Sequence, residues 1–182
     1  MRVLDLFCGY GGWSDGFFAD DWEILGIDNE RSVRSWYPYD LLLQDILTLD
    51  PNRLTGQFDV IVASPPCTEF STAIWPKRLE QPNMDCVNMV KTIVARAKPK
   101  YWVMENVRGA IKYLGAPKLR YFPWYFWGNF PQFLKYGERA PNKGTKKGGV
   151  RGFRDPRRVA MIPLEISVPL AKSCRSAIEN SS

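Results

Sequence analysis

A chain of 182 residues, 45% of them hydrophobic, is long enough for one domain with a hydrophobic core, which excludes a disordered or fibrous protein. Histidine is absent and the four cysteines follow no metal-ligand spacing, which excludes a zinc site and a histidine base and predicts free thiols. The net charge of +6 favours a polyanionic partner. The sequence has no long apolar run and no signal peptide, which predicts a cytoplasmic protein without a membrane segment.

The first hundred residues alternate between short apolar segments and segments with helical spacing. The predicted strands are Val3–Phe7, Glu23–Ile27, Leu41–Leu43, Phe58–Ala63 and Tyr101–Met104. The predicted helices are Trp13–Ala19, Arg31–Trp36 and Asp85–Ala97. Strands that alternate with helices in this way are typical of an α/β protein with a mainly parallel sheet.

The second half of the chain has a different composition. The aromatic-rich segment Leu119–Phe130 predicts one further strand, and the Gly/Lys-rich segment Ala140–Gly152 predicts a mobile loop. Met161–Asn180 predicts a C-terminal helix, with Pro169 either in its first turn or breaking it. We expect a single domain over residues 1–182, with a core at 1–118, an aromatic and basic region at 119–160 and the C-terminal helix at 161–182.

The positive charge is concentrated in one segment. Lys135–Arg158 contains nine Lys and Arg residues and two acidic residues, so it carries +7, and the remainder of the chain carries −1. Such a segment is typical of a nucleic-acid contact; the alternative is a solvated charged loop.

Glycine and polar residues follow the ends of the predicted strands. They are Gly9, Asp28, Asp45, the segment Ser64–Cys67, and Glu105 with Asn106. Because the carboxyl ends of parallel strands meet at one edge of a sheet, we expect these residues to form one ligand-binding site.

The glycine-rich turn after the first strand predicts a nucleoside cofactor. Glycines in Phe7–Gly12 allow a tight turn and a close approach of the backbone to a ligand. The spacing differs from the dinucleotide fingerprint, and no phosphate-loop Gly-Lys-Ser/Thr follows. Asp28 after the second strand is suited to a ribose, although each feature alone is also compatible with a structural turn or a helix cap.

Two further segments predict chemistry at the same edge. In Ser64–Thr68, the Pro-Pro pair holds Cys67 with little conformational freedom, as a nucleophile requires. Glu105 follows an apolar strand, where a carboxylate is available for acid–base work. The alternatives are a buried structural thiol and a capping carboxylate.

Together these segments resemble the cytosine-5 DNA methyltransferase family. The resemblance covers about the first 110 residues and consists of Phe7–Gly12, Pro65–Cys67 and Glu105–Val107, in this order and spacing. It implies a Rossmann-like fold that binds S-adenosyl-L-methionine and transfers its methyl group to carbon 5 of cytosine in DNA. It also implies that Cys67 attacks carbon 6 of a flipped-out cytosine while Glu105 contacts ring nitrogen 3.

The resemblance assigns the remaining site residues. Pro66 and Asn106 join Cys67 and Glu105 in the catalytic set. The cofactor residues would be Phe7, Cys8, Gly9, Tyr10, Gly11 and Gly12 for the methionine part, Asp28 for the ribose, Asn29, Asp45 and Ile46 for the adenine, and Pro65 near the methyl group. Ser167–Ala171 resembles the last motif of the family, whose helix folds back beside the cofactor.

The chain also departs from the family. The usual target-recognition domain is absent, and the usual Gln-x-Arg-x-Arg strand has only Arg157-Arg158 as a loose counterpart. We therefore expect DNA to contact the aromatic stretch Trp124–Phe130 and the basic segment Lys135–Arg158, with either reduced sequence specificity or a second protein chain that contributes to recognition. The setting implied is restriction–modification in a prokaryote or phage. An RNA cytosine-5 methyltransferase and a non-catalytic nucleic-acid-binding relative remain as alternatives.

Overall fold

The computed structural model describes residues 1–70, 81–135, 137 and 161–181. Seven strands form one sheet: β1 Arg2–Leu6, β2 Glu23–Asp28, β3 Asp40–Leu43, β4 Val60–Ala63, β5 Tyr101–Asn106, β6 Leu119–Tyr121 and β7 Trp124–Asn129. The helices are α1 Gly12–Phe18, α2 Asp85–Ala97, the short α3 Ile111–Leu114 and α4 Leu164–Glu179. Short 3₁₀ helices occupy Arg31–Ser35, Ile46–Thr48, Pro51–Leu54, Cys67–Glu69 and Arg108–Ala110.

The strand order is β3-β2-β1-β4-β5-β7-β6. Strands β1 to β5 are parallel, and β7 runs antiparallel to both β5 and β6. All four residues of β4 are buried, because helices cover both faces of the sheet. Helices α1 and α4 pack on one face and α2 on the other. The mainly parallel α/β architecture predicted from the sequence is therefore confirmed.

The predicted strands and helices of the first hundred residues are present, with small shifts. The predicted helix near Arg31 is a 3₁₀ helix, and β5 extends far enough to include Glu105 and Asn106. No helix in the described ranges is both long and apolar enough to cross a membrane.

The second half differs from the prediction in two ways. The segment Leu119–Phe130 forms two antiparallel strands instead of one, because the chain turns at Phe122-Pro123 and pairs with itself. Pro169 lies in the interior of α4, so it neither occupies the first turn nor ends the helix. The loop predicted at Ala140–Gly152 lies outside the described residues.

The aromatic stretch belongs to the hydrophobic core. Its buried members are Trp124, Tyr125, Phe126, Trp127 and Phe130. Because β7 lies between β5 and β6 in the sheet, its side chains point alternately to the two faces of the sheet, and each face is covered by part of the hydrophobic core. The expectation that these rings contact DNA is therefore wrong.

Two glycines allow α1 and α4 to pack with their backbones in contact. A Cβ atom on Gly16 would lie 2.3 Å from Oγ of Ser167, and one on Gly12 would lie 2.6 Å from the backbone of Ile162. At the far end of α4, Arg175 Nε contacts Asp20 Oδ2 at 2.8 Å. This packing brings the start of the C-terminal segment over the glycine-rich turn.

Candidate active site

A cavity opens at the carboxyl ends of β1, β2, β4 and β5. Its lining residues are Phe7, Cys8, Gly9, Tyr10, Gly12, Trp13, Asp28, Glu30, Val33, Ser64, Pro65, Pro66, Cys67, Glu105, Met161 and Ile162. The glycine-rich turn, the Pro-Pro-Cys turn and the glutamate after the apolar part of β5 thus meet in one place. This edge is where open parallel sheets bind ligands.

Asp28 holds the glycine-rich turn in shape. Its Oδ2 accepts a hydrogen bond from Gly9 N at 3.0 Å, and its Oδ1 accepts one from Glu30 N at 2.9 Å. Gly9 and Gly11 have positive φ angles of 48° and 82°, which favour glycine. Each carboxylate oxygen has a second lone pair, so Asp28 retains the capacity to accept hydrogen bonds from ligand hydroxyl groups.

A buried carboxylate lies behind this turn and was not predicted from the sequence. Asp5 is 1% exposed, and its Oδ2 accepts a hydrogen bond from Ser14 Oγ at 2.6 Å. Ser14 Oγ is also 2.6 Å from the Tyr37 hydroxyl. Burial raises the pKa of Asp5 to about 7. Its Oδ1 has no hydrogen-bond partner among the described residues, so a buried polar atom lies at the base of the turn without a hydrogen bond.

Cys67 begins a 3₁₀ turn directly after Pro66 and is half-buried. Cys8 also lines the cavity, but burial, and then the nearby carboxylates of Asp5 and Asp28, raise the pKa of its thiol far above the usual range. Since a thiolate is the nucleophilic form of cysteine, Cys8 is unsuited to attack. The geometry therefore favours Cys67 as the nucleophile of this cavity.

Asn106 connects β5 to the cysteine turn, which is the segment Ser64–Glu69. The side chain is 0% exposed, its Nδ2 donates to Pro65 O at 3.1 Å, and its Oδ1 accepts from Val107 N at 2.8 Å. Both polar ends of the Asn106 side chain are used by the backbone, and Asn106 lies outside the cavity lining, so the side chain connects the turn that contains Cys67 to the strand that carries Glu105. Its place in the catalytic set stays a prediction.

Gly109 provides a second contact between these two parts of the site. A Cβ atom there would lie 1.9 Å from the carbonyl oxygen of Phe70, so the turn that contains Cys67 packs directly on the segment after β5. The rings of Phe70 and Tyr113 are 5.8 Å apart and extend this contact.

Several residues assigned to the cofactor lie outside the cavity lining. They are Gly11, Asn29, Asp45 and Ile46. Asp45 Oδ1 caps a 3₁₀ helix by accepting a hydrogen bond from Leu47 N at 2.9 Å, and Ile46 is buried in the core. Gly11 is the N-cap of α1 and shapes the turn.

Sequence reasoning also missed part of the lining. The unpredicted members are Trp13, Glu30, Val33, Met161 and Ile162. Trp13 and Glu30 directly adjoin predicted positions, which is the signal that could have identified them. Met161 and Ile162 reach the cavity only because α4 packs on α1, and their sequence has no comparable signal.

Residues 1–115 match the family model of C-5 cytosine-specific DNA methylases. The chain is 34% identical over 120 residues to the type II methyltransferase M.DdeI of Desulfomicrobium norvegicum, covering 61% of this chain but 29% of that protein. It is 33% identical over 122 residues to the type II methyltransferase M.HgiGI of Herpetosiphon aurantiacus, covering 60% of this chain and 93% of that protein. The chain thus spans about a third of the length of most curated relatives it matches.

The fold is shared with a solved structure. A prophage-encoded protein from E. coli, assigned as a DNA modification methyltransferase, superposes with a TM-score of 0.50 at 21% identity, covering 63% of this chain and 35% of that one. This similarity confirms the Rossmann-like methyltransferase fold implied by the resemblance. With its family model matched over more than half of its length and the three motifs meeting in one cavity, the chain belongs to the C-5 cytosine-specific DNA methylase family.

Proposed function

We propose that this chain is an S-adenosyl-L-methionine-dependent DNA (cytosine-5)-methyltransferase that acts through a covalent Cys67 intermediate. The observation that carries the proposal is the single cavity that contains Cys67, Glu105 and the glycine-rich turn held by Asp28. A binding protein without catalysis would need neither a cysteine nor a glutamate at these positions.

The cavity is suited to the cofactor. Asp28 and Glu30 place carboxylates where ribose hydroxyl groups can donate, and Phe7 offers an aromatic surface beside them. The alternative nicotinamide and ATP fingerprints are absent from the sequence.

The residues of the chain divide the reaction between them. The thiolate of Cys67 forms a bond to carbon 6 of cytosine, and Glu105 holds a proton at ring nitrogen 3, so that carbon 5 becomes nucleophilic. S-adenosyl-L-methionine, when bound, supplies the electrophilic methyl group. Transfer of the carbon-5 proton to solvent water then re-forms the ring double bond and expels Cys67 as a thiolate, and the proton at ring nitrogen 3 returns to Glu105. The cytosine must leave the base stack, because its faces are covered in duplex DNA.

The charge distribution supports DNA as the substrate. No acidic residue occurs between Asn106 and Lys135, while four cations do: Arg108, Lys112, Lys118 and Arg120. Arg108 and Lys112 are exposed and follow β5 next to the cysteine turn. The basic segment Lys135–Arg158 lies, apart from Lys135 and Gly137, outside the described residues. We propose that the four cations between Asn106 and Lys135 and the cations of the basic segment Lys135–Arg158 contact DNA phosphates. Such contacts give affinity without base specificity.

We further propose that a second protein chain contributes to target recognition and that the setting is restriction–modification. The described chain contains the sheet, the cavity and little else that could read a base sequence. The similar proteins include type II methyltransferases of bacteria and an archaeon and an orphan methyltransferase of a Bacillus phage.

The proposed function is tested with DNA that contains 5-fluorocytosine. Fluorine at carbon 5 cannot leave as a proton, so after methyl transfer Cys67 stays bonded to carbon 6. We expect a covalent complex that survives denaturing electrophoresis and requires S-adenosyl-L-methionine. Tryptic mass spectrometry should place the adduct on Cys67. An adduct with 5-fluorocytosine RNA and none with DNA would contradict the assignment to DNA.

A second prediction concerns Asp28. Asp28→Asn keeps an acceptor for Gly9 N but removes the charge, so we expect affinity for S-adenosylhomocysteine to fall by about 1.5–3 kcal/mol, roughly ten- to a hundredfold. Isothermal titration calorimetry measures this directly. The matched control is Asp50→Asn, because Asp50 caps the 3₁₀ helix Pro51–Leu54 away from the cavity. Equal affinities in the two variants would remove Asp28 from the cofactor site.

A further inference from the structure

Trp13 lies where the three parts of the cavity meet. It is the second residue of α1, directly after the glycine-rich turn, and its side chain is 2% exposed. The same side chain contacts the cysteine turn and a strand paired with the glutamate strand.

The first contact is a hydrogen bond. Trp13 Nε1 donates to Ser64 Oγ at 3.0 Å, and both residues line the cavity. Ser64 is also held by its backbone, since its N–H donates to Leu6 O at 3.2 Å where β1 and β4 end together. Ser64 leads directly into Pro65-Pro66-Cys67, so a fixed Ser64 and two stiff prolines leave Cys67 little freedom.

The second contact is between rings. Trp13 and Phe126 pack edge to face, with centroids 6.1 Å apart and planes at 66°. Phe126 is the register partner of Glu105 in the antiparallel pair of β5 and β7. The indole of Trp13 therefore reaches from Ser64, at the start of the cysteine turn, to β7, which pairs with the strand that carries Glu105.

We propose that Trp13 is a positioning residue for methyl transfer. Its indole N–H fixes Ser64 and thereby holds Cys67 in place relative to the glycine-rich turn. This inference rests on the proposed function. A nucleophile must approach to about 3–3.5 Å of the reacting atom, and an error of about 1 Å costs roughly a hundredfold in rate. Phenylalanine fills the same apolar site but has no N–H, so the hydrogen bond can be removed while an aromatic ring is kept.

The experiment compares Trp13→Phe, Ser64→Ala and the double variant in the full chain. The readouts are S-adenosylhomocysteine affinity by calorimetry, melting temperature, and the single-turnover rate of adduct formation with 5-fluorocytosine DNA. We expect Trp13→Phe to slow adduct formation roughly 10- to 100-fold while the affinity changes less than about threefold. Because one hydrogen bond is removed from either side, the double variant should be no slower than the slower single variant.

Trp22→Phe is the matched control. The Trp22 indole is also buried, donates a hydrogen bond of 3.0 Å to Asp20 Oδ2, and packs edge to face on Phe17, but it lies outside the cavity lining. It should lower the melting temperature without slowing adduct formation.

Four results would overturn the inference. One is an unchanged rate in Trp13→Phe, and another is multiplicative losses in the double variant. The third is a fall in S-adenosylhomocysteine affinity in proportion to the fall in rate, and the fourth is the same fall in rate in Trp22→Phe. A wild-type chain that binds S-adenosylhomocysteine but forms no adduct would overturn the proposed function, and the inference with it.

Discussion

Replacing Cys67 with alanine is expected to lower the rate of methyl transfer by a factor on the order of 10⁴ or more, because carbon 5 of cytosine is a poor nucleophile without covalent activation at carbon 6. The variant should bind S-adenosylhomocysteine as the wild type does. The hydrogen bonds that hold the glycine-rich turn run from Gly9 and Glu30 to Asp28 and do not involve Cys67. Transfer of a radioactive methyl group to duplex DNA measures the rate.

The other cysteines supply the control. Cys86 is half-buried on α2, outside the cavity lining, so Cys86→Ser should keep its activity. Cys174 is 0% exposed, and burial raises the pKa of its thiol to about 12, so it remains a neutral thiol in the core. Turnover retained by Cys67→Ala would exclude the covalent mechanism.

Replacing Glu105 with glutamine is expected to slow adduct formation by a factor of about 10²–10⁴, the usual contribution of a positioned acid or base. Glutamine preserves the size of the side chain and offers hydrogen bonds, but it cannot exchange a proton with ring nitrogen 3. Glu105 lies at the carboxyl end of β5 and lines the same cavity as Cys67. The single-turnover rate with 5-fluorocytosine DNA is the measurement.

Glu23→Gln is the control for charge. Glu23 begins β2 at the opposite edge of the sheet and forms an exposed ion pair of 3.4 Å with Arg2. Such pairs contribute little to stability, so this variant should behave as the wild type. If Glu105→Gln forms the adduct at the wild-type rate, the glutamate has no part in activating cytosine.

The parallel part of the fold was predictable because local composition decides it. The apolar runs of β1, β4 and β5 are buried on both faces, and their polar ends fall at one edge as parallel strands require. The hairpin of β6 and β7 was not predicted, although Pro123 interrupts the aromatic-rich run and a proline inside such a run signals the end of a strand.

The site was predictable only where a motif carries its own local geometry. Glycines at positive φ and the Pro-Pro-Cys turn are local features, and the structure places both in the cavity. Asp45 caps a 3₁₀ helix outside the cavity lining, because an aspartate after a strand serves equally well as a local acceptor, and its contact with the cofactor stays a prediction. Asp5 was not predicted, although an aspartate inside an apolar strand is itself a signal, because charged residues are rarely buried.

The contact between α1 and α4 joins two parts of the protein that lie far apart in the sequence. Asp20 and Arg175, which join these parts, are separated by 155 residues. During synthesis, the apolar face of α1 and the wall that Met161 and Ile162 provide remain incomplete until α4 has left the ribosome. Closing so long a loop carries an entropy cost that local contacts avoid. The pocket therefore forms late, once α4 has packed on α1, and a ligand in it stabilises only molecules in which these two helices have met.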